Sequence, residues 1–112
     1  IQLAHWQTKG YAEHEALGEY YEKLWKLNDQ LVETWQGNQD KRIHIESGQH
    51  TLQNYQSPEH TKHSIVEYSG YLSKCAKYID GINESKQYID IESILEEMTD
   101  VTSQALYHLS LK

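Results

Sequence analysis

The chain has 112 residues, a formal net charge of −7, 38% hydrophobic residues and 24% charged residues. This length fits a single domain, here residues 1–112, and the composition is that of a folded protein rather than a disordered one. The acidic balance, with Lys41–Arg42 as the one pair of adjacent cations, argues against nucleic acids and anionic membranes as partners. No apolar run is long enough to span a bilayer.

The cysteine content indicates the cellular compartment, and the aromatic content indicates the kind of surface that the helices have. The single cysteine, Cys75, excludes an internal disulfide and fits a reducing compartment such as the cytoplasm. Nine Tyr and three Trp accompany no Phe, a composition that suits half-buried helix faces and subunit contacts. Seven His in a chain of this length also call for a physical explanation.

The first two predicted elements are helical. Residues 1–8 have the pattern of a helix end with Leu3 and Trp6 facing inward, and Lys9–Gly10 breaks it. Residues 12–36 predict a long helix, which Gly37 ends. Its apolar stripe recurs at helical spacing and consists of Leu17, Tyr20, Tyr21, Leu24, Leu31 and Trp35.

The second half of the chain predicts a long connection and two more helices. Residues 37–57 are polar and weakly periodic, with one helical turn expected from His50 to Tyr55, and a connection of this length needs a topological reason. Ser57–Pro58 is typical of a helix start and opens a helix over 58–81, with Gly81 as its C-cap. A short connection leads to the last helix, 86–111, so these two helices should be antiparallel neighbours.

Together the segments predict an all-α fold. We expect an antiparallel four-helix bundle with a long crossover between its second and third helices (B and C), and with the first helix (A) truncated or short. One long crossover is the connectivity of ferritin-like folds, because the helices on either side of it run parallel. A short first helix leaves the core open on one side, so we expect a dimer or a larger homo-oligomer.

Four residues are candidate metal ligands: His5, His14, Asp29 and Glu33. On the second helix, the stripe that carries the last three lies almost opposite the apolar stripe at about 100° per residue. His14 and Asp29 are about 22 Å apart along the axis, so they cannot bind one ion within one chain. An antiparallel second copy of this helix would bring His14 of one chain to Asp29 and Glu33 of the other, and His5 could join them.

Imidazole and carboxylate ligands of this kind suit iron and related divalent metals. The alternative interpretation is that the stripe is the solvated face of an ordinary surface helix. A weaker metal-site candidate is the set His60, His63 and Glu67, for which first-turn surface residues are the preferred interpretation. No Glu-x-x-His tetrapeptide occurs in the chain, which argues against a metal site inside the bundle. Cys75 is expected in the core.

The order of these motifs resembles the mini-ferritins of the DNA-protection-during-starvation (Dps) family. The motifs are His5–Trp6, Lys9–Gly10, His14 and Asp29-x-x-x-Glu33. The resemblance implies a ferritin-like fold, iron or a similar divalent metal, and ferroxidase centres shared across a two-fold interface, with His5, His14, Asp29 and Glu33 as ligands. This chain departs from the family pattern in two ways. Gly18 stands where the family has an acidic residue, and His5 lies closer to His14 in the sequence than the family pattern places it.

The chain is also similar, over most of its length, to small uncharacterised ferritin-like proteins encoded by tailed bacteriophages. The shared runs are HWQTK–YAEH–ALGEYY, the VETWQG-like segment from Val32 to Gly37, and the LYHLSLK-like tail from Leu106 to Lys112. This likeness implies a location in the bacterial host cytoplasm or in the virion.

Two functions follow from the sequence. The first is a phage-encoded, Dps-like protein that binds metal at a subunit interface and oxidises ferrous iron. The second is a non-enzymatic oligomer that uses a ferritin-like scaffold with a vestigial site, as a structural or host-interaction protein with a virion or host partner.

Overall fold

The computed structural model describes residues 1–44, 46–49 and 51–111. These residues form four helices and no strand: α1 (Gln2–Gln7), α2 (Tyr11–Gln39), α3 (Pro58–Ile82) and α4 (Ile89–Ser110). The prediction of an all-α fold is confirmed, and the helices pack as a bundle. In this part of the chain, no helix has an apolar stretch long enough to cross a membrane.

The last helix, α4, is the centre of the bundle. It packs along both α2 and α3, which make few backbone contacts with each other, and α1 packs on α2. Near their starts, α2 and α3 meet the end of α4, where Leu17 and Ile65 contact Ala105 in one cluster. Near their ends, both helices meet the start of α4 at Ile91. Therefore α2 and α3 run parallel, α4 runs antiparallel to both, and the crossover returns the chain along the bundle.

The core follows the predicted apolar stripes, but the space between α2 and α3 stays open. The buried apolar residues are Ala16, Leu17, Tyr20, Leu27, Ile65, Leu72, Ile79, Ile91, Ile94, Leu95, Met98 and Ala105. Beside them, an apolar trough of about 490 Å³ lies between α2 and α3. On its walls, Trp35 and Cys75 are half-buried against the core, whereas Tyr71 and Tyr78 are 61% and 64% exposed. No described residue of α1 lines this trough, so the side chains along it are incompletely buried.

The short helix α1 lies differently from the prediction. Ala4 packs toward the cluster around Leu17, and the ring of His5 lies against Gly18 of α2. The next residue, Trp6, is turned by about 100° from His5 and is 64% exposed. The prediction that Trp6 faces inward is therefore wrong, because His5 takes the inward position.

The end of α2 also differs from the prediction. The helix continues through Gly37 to Gln39 and ends with Asp40 in the left-handed conformation at φ 51°. Gln39 Nε2 donates a hydrogen bond to the Tyr88 hydroxyl at 3.1 Å, and the Trp35 and Tyr88 rings stack with centroids 5.5 Å apart. A glycine inside a helix costs only about 1 kcal/mol relative to alanine, so these contacts with the start of α4 extend the helix.

Asn83, and not the predicted Gly81, is the C-cap of α3. Its side chain also sets the turn between α3 and α4. Asn83 is only 4% exposed. Its Oδ1 accepts a hydrogen bond from the Tyr88 backbone N–H at 2.8 Å, and its Nδ2 donates one to Glu92 at 2.7 Å. These bonds hold the turn closed and delay the start of α4, which begins at Ile89 rather than at 86.

The crossover has no regular secondary structure in its described residues. Residues 51–55 of the predicted turn are not helical, and His50 lies outside the described residues. The side chain of Gln7 ties the crossover to α1: its Oε1 accepts from the Tyr55 backbone N–H at 2.6 Å, and its Nε2 donates to Asn54 Oδ1 at 3.0 Å. The crossover therefore ends beside α1, at the end of the bundle where α3 begins.

The predicted start of α3 is confirmed. Ser57 is the N-cap, Pro58 follows at the first helical position, and the Ser57 hydroxyl accepts a hydrogen bond from the His60 backbone N–H at 3.1 Å. We expect Ser57→Ala to lower the free energy of unfolding by about 1 kcal/mol, because that N–H loses its partner. Urea denaturation measures the effect, with exposed Ser93→Ala as the control. Equal stability of the two variants would contradict the capping role.

A buried hydrogen bond joins α2 to α4 inside the core. Thr102 donates to the Met98 carbonyl at 2.8 Å, so its hydroxyl proton is used and the Tyr20 hydroxyl donates to Thr102 Oγ1 at 2.8 Å. Burial raises the pKa of Tyr20, and the hydrogen bond between Tyr20 and Thr102 opposes that rise. The phenol therefore stays neutral and acts as a donor.

We expect Tyr20→Phe to lower the free energy of unfolding by about 0.5–1.5 kcal/mol, because the buried Thr102 oxygen loses a donor. Thermal and urea unfolding measure the change. The control is Tyr107→Phe, because the side chain of Tyr107 is 63% exposed. If both variants match the original protein, the bond contributes nothing to stability.

Candidate metal centre

His5 and His14 form a reciprocal pair between α1 and α2. His5 Nδ1 lies 2.8 Å from the His14 carbonyl oxygen, and His14 Nδ1 lies 2.8 Å from the His5 carbonyl oxygen. The two rings stack with centroids 4.0 Å apart and planes 15° from parallel. The pair therefore fixes α1 on α2 and fixes each ring relative to the other.

The reciprocal bonds also assign the imidazole nitrogens. A carbonyl oxygen can only accept, so each Nδ1 carries the proton and donates it. In a neutral ring the lone pair then lies on Nε2, which is the usual consequence when Nδ1 bonds a backbone carbonyl beside a metal site. Each neutral ring therefore has its ligand lone pair on Nε2.

The helical glycine at position 18 makes room for His5. A Cβ atom on Gly18 would lie 2.7 Å from His5 Cε1 and 3.1 Å from His5 Nδ1. Real Cβ contacts are never that short, so any side chain at this position displaces the imidazole. Gly18 thus has a packing role, because it makes room for the imidazole of His5.

An open groove of about 820 Å³ runs beside the histidine pair. One wall is α1 and the other is the end of α4, with His108 and Leu111. The floor is the α2 face that carries three acidic residues, Glu15, Glu19 and Glu22, all of them exposed. The groove is therefore acidic, and the two imidazoles lie along one of its edges.

The other two predicted ligands lie elsewhere on the same helix. Asp29 and Glu33 are exposed and do not line this groove. Within the residues that the structure describes, no three His, Cys, Asp or Glu side chains of one chain are grouped to hold a metal ion. A single chain thus brings His5 to His14 and leaves Asp29 and Glu33 apart from them.

The imidazole pair cannot chelate one ion by itself. An Nε2 lone pair lies in the plane of its ring, and a metal–nitrogen bond is about 2.1 Å long. Planes 15° apart with centroids separated by 4.0 Å do not converge within that reach. The two rings would have to bind different ions, and each ion would need its remaining ligands from outside the pair.

The alternative set on α3 does not form a site. His63 Nε2 lies 3.0 Å from Glu67 Oε1, with both side chains 71% exposed. His60 does not join them in a group of three ligands. The preferred interpretation of these residues as surface residues agrees with this geometry.

The sequence suggested that His5 could join the same ligand cluster as His14, but it did not predict the contacts between the two residues. The reciprocal bonds depend on where α1 folds back on α2, and no local pattern specifies that placement. Gly18 carried a usable signal, because an isolated glycine inside a strong helical pattern commonly has a packing reason. Glu15, Glu22 and His108 of the groove carried no such signal.

The comparisons with known proteins identify the family of this chain but give no function for it. Residues 5–109 match a family of unknown function, DUF5856, so the chain belongs to that family. The searches found no similar curated protein and no similar solved structure.

Proposed function

We propose that this DUF5856 protein binds iron or a similar divalent metal between two copies of its chain. His5 and His14 of one copy each supply an imidazole ligand, to different ions, and Asp29 and Glu33 of the other copy supply carboxylates. The scaffold is a ferritin-like bundle with a short first helix, and the protein is phage-encoded and acts in the host cytoplasm or in the virion. The four candidate ligands, their order in the chain and the Dps resemblance support this proposal.

The observation that carries it is the reciprocal Nδ1 bonding of His5 and His14. It places the lone pairs of the neutral rings on Nε2, and it holds both rings beside an open groove before any ion binds. Within the described residues of one chain, no carboxylate is grouped with the pair as a third ligand, so we expect the acidic ligands to come from a second molecule. Antiparallel α2 helices supply them, because Asp29 and Glu33 are exposed on the same side of the helix as His14.

The reaction class that the resemblance implies is the oxidation of ferrous iron by dioxygen, with iron as the substrate. The chain's own residues bind and orient the ion. Imidazole must be neutral to be a ligand, so we expect metal affinity to fall in mildly acidic solution and metal binding to release protons.

We expect the purified protein to bind ferrous iron without oxygen and to oxidise it in air faster than buffer does. His14→Ala should abolish binding while the oligomer persists, because a nitrogen ligand is lost. His63→Ala is the matched control, since that histidine pairs only with exposed Glu67. Absence of bound iron, zinc and manganese, together with oxidation at the buffer rate, would end the proposal.

Mixing variants tests whether the site is shared. His14→Ala keeps both carboxylates, whereas the double variant Asp29→Asn, Glu33→Gln keeps both imidazoles. A random mixed dimer has one intact site, so an equal mixture should recover about a quarter of the original capacity. No recovery from a mixture that exchanges subunits would contradict a site shared between two copies.

The second candidate is a non-enzymatic oligomer, a structural or host-interaction protein with a virion or host partner. The close packing of His5 on Gly18 favours this second candidate, because the histidine pair already joins α1 to α2 without any metal. In that case His14→Ala loosens α1, while neither the original protein nor the variant binds iron.

A further inference from the structure

The apolar trough between α2 and α3 is a cavity that the proposed metal site does not use. Its volume of about 490 Å³ falls within the range of about 300–1,000 Å³ that is typical of small-molecule sites. Its apolar walls include Leu31 and Trp35 on α2, Ile79 on α3, and Ile91 and Leu95 on α4. The trough therefore has the size and the lining of a binding site for an apolar small molecule.

The length of the trough limits what it can hold. Along α3, the lining residues extend from Tyr71 to Ile79, which is about 12 Å at a rise of 1.5 Å per residue. An extended chain of single bonds advances about 1.2 Å per bond. An alkyl chain of roughly ten carbons therefore fits along the trough.

The charge of the trough is opposite in sign to that of the whole chain. Lys74 is the one charged residue among the described residues that line it, although the chain has a formal net charge of −7. Lys74 is exposed, and no ion pair in the described part of the chain involves it. It lies on the same face of α3 as Tyr71 and Tyr78, whose hydroxyl groups can also donate to an anion. The mouth of the trough therefore favours an anionic group.

We propose that this trough binds a medium-chain fatty acid, with the alkyl chain along the apolar walls and the carboxylate paired with the Lys74 ammonium group. The chain leaves water on binding, which is favourable, while the carboxylate stays partly hydrated at the mouth. A protein partner fits this site less well, because a stable interface buries about 800 Å² on each partner. This inference does not depend on the proposed metal function.

The first test compares two amphiphiles of opposite charge. Decanoate and decyltrimethylammonium carry similar alkyl chains, and calorimetry of the full chain measures the binding of each below its micelle concentration. The net charge of −7 attracts the cation, so unspecific binding to the surface would favour it. We expect decanoate to bind about tenfold more tightly, because Lys74 attracts only the anion. Equal affinities, or tighter binding of the cation, would overturn the inference.

A charge reversal tests the role of Lys74. We expect Lys74→Glu to weaken decanoate binding by about tenfold or more and to remove the preference for the anion. The matched control is Lys77→Glu, because Lys77 is exposed on the same helix and does not line the trough. Both positions are exposed, so both variants should fold. The same weakening in both variants would mean that the overall charge governs binding, and it would contradict the proposed ion pair.

The single cysteine of the chain shows whether the ligand lies in the trough. Cys75 is half-buried and lines it, so a neutral maleimide reports how accessible the trough is. We expect saturating decanoate to slow the alkylation of Cys75 several-fold, and Lys74→Glu to show less protection at the same concentration. An unchanged rate would place decanoate elsewhere on the protein and end this proposal. A rate that falls with protein concentration and ignores decanoate would also overturn it, and would assign the trough to contact with a second copy.

Discussion

Replacing Leu17 with alanine should destabilise this protein by about 2–5 kcal/mol, which is the typical cost of emptying a fully buried leucine site. Leu17 is 0% exposed and lies in the cluster that joins α2, α3 and α4 at Tyr20, Ile65 and Ala105. A small domain has only about 5–15 kcal/mol of stability in total. We therefore expect a much lower midpoint in urea and a partly unfolded population at 37 °C.

Two comparisons separate cavity formation from a general effect of substitution. Leu17→Met keeps most of the volume and should cost less than about 1.5 kcal/mol. Leu52→Ala removes a side chain that is 82% exposed and should change stability by less than about 0.5 kcal/mol. Equal losses for Leu17→Ala and Leu52→Ala would mean that the cluster is not a core.

Replacing Gly18 with alanine should give the second large effect. The new Cβ would lie 2.7 Å from His5 Cε1, so the imidazole must move and its bond to the His14 carbonyl must break. Overpacking of this kind typically costs about 1–3 kcal/mol, which exceeds the gain of about 1 kcal/mol that alanine normally brings to a helix interior. We expect a net loss of stability, faster hydrogen exchange in α1 and weaker metal binding.

Gly70→Ala is the matched control for this prediction. Gly70 is also inside a helix, and a Cβ there would meet nothing within 4 Å. This variant should gain up to about 1 kcal/mol from helix propensity. If Gly18→Ala were stabilised as much as Gly70→Ala, the imidazole would not be held where the structure has it.

The helices could be predicted because their signals are local. Ser57–Pro58 indicated the start of α3 correctly, since a side-chain cap and a fixed proline φ act within one turn. The apolar spacing of α2, α3 and α4 predicted their buried faces for the same reason. Helix ends were predicted less well: α2 passes Gly37 and α3 passes Gly81, because contacts of Gln39 with Tyr88 and of Asn83 with Glu92 outweigh the local preference for glycine.

For the candidate site, the sequence named candidate residues but could not give their geometry. The chain order of His5, His14, Asp29 and Glu33 identified candidate ligands, and helix geometry alone separated His14 from Asp29 within one chain. The reciprocal bonds could not be predicted, because they depend on the angle at which α1 returns to α2. Trp6 was assigned to the wrong side for the same reason.

By itself, the sequence determined an all-α fold, the helix that carries most of the candidate ligands, and the separation of those ligands along it. These properties follow from periodicity and from the rise per residue, which are the same in every α-helix. Only the tertiary structure decided that α4 packs on both α2 and α3, that His5 stacks on His14, and that Gly18 leaves room for that pair. Each of these features depends on contacts between side chains that are distant in sequence. Such contacts form only when all the helices pack together.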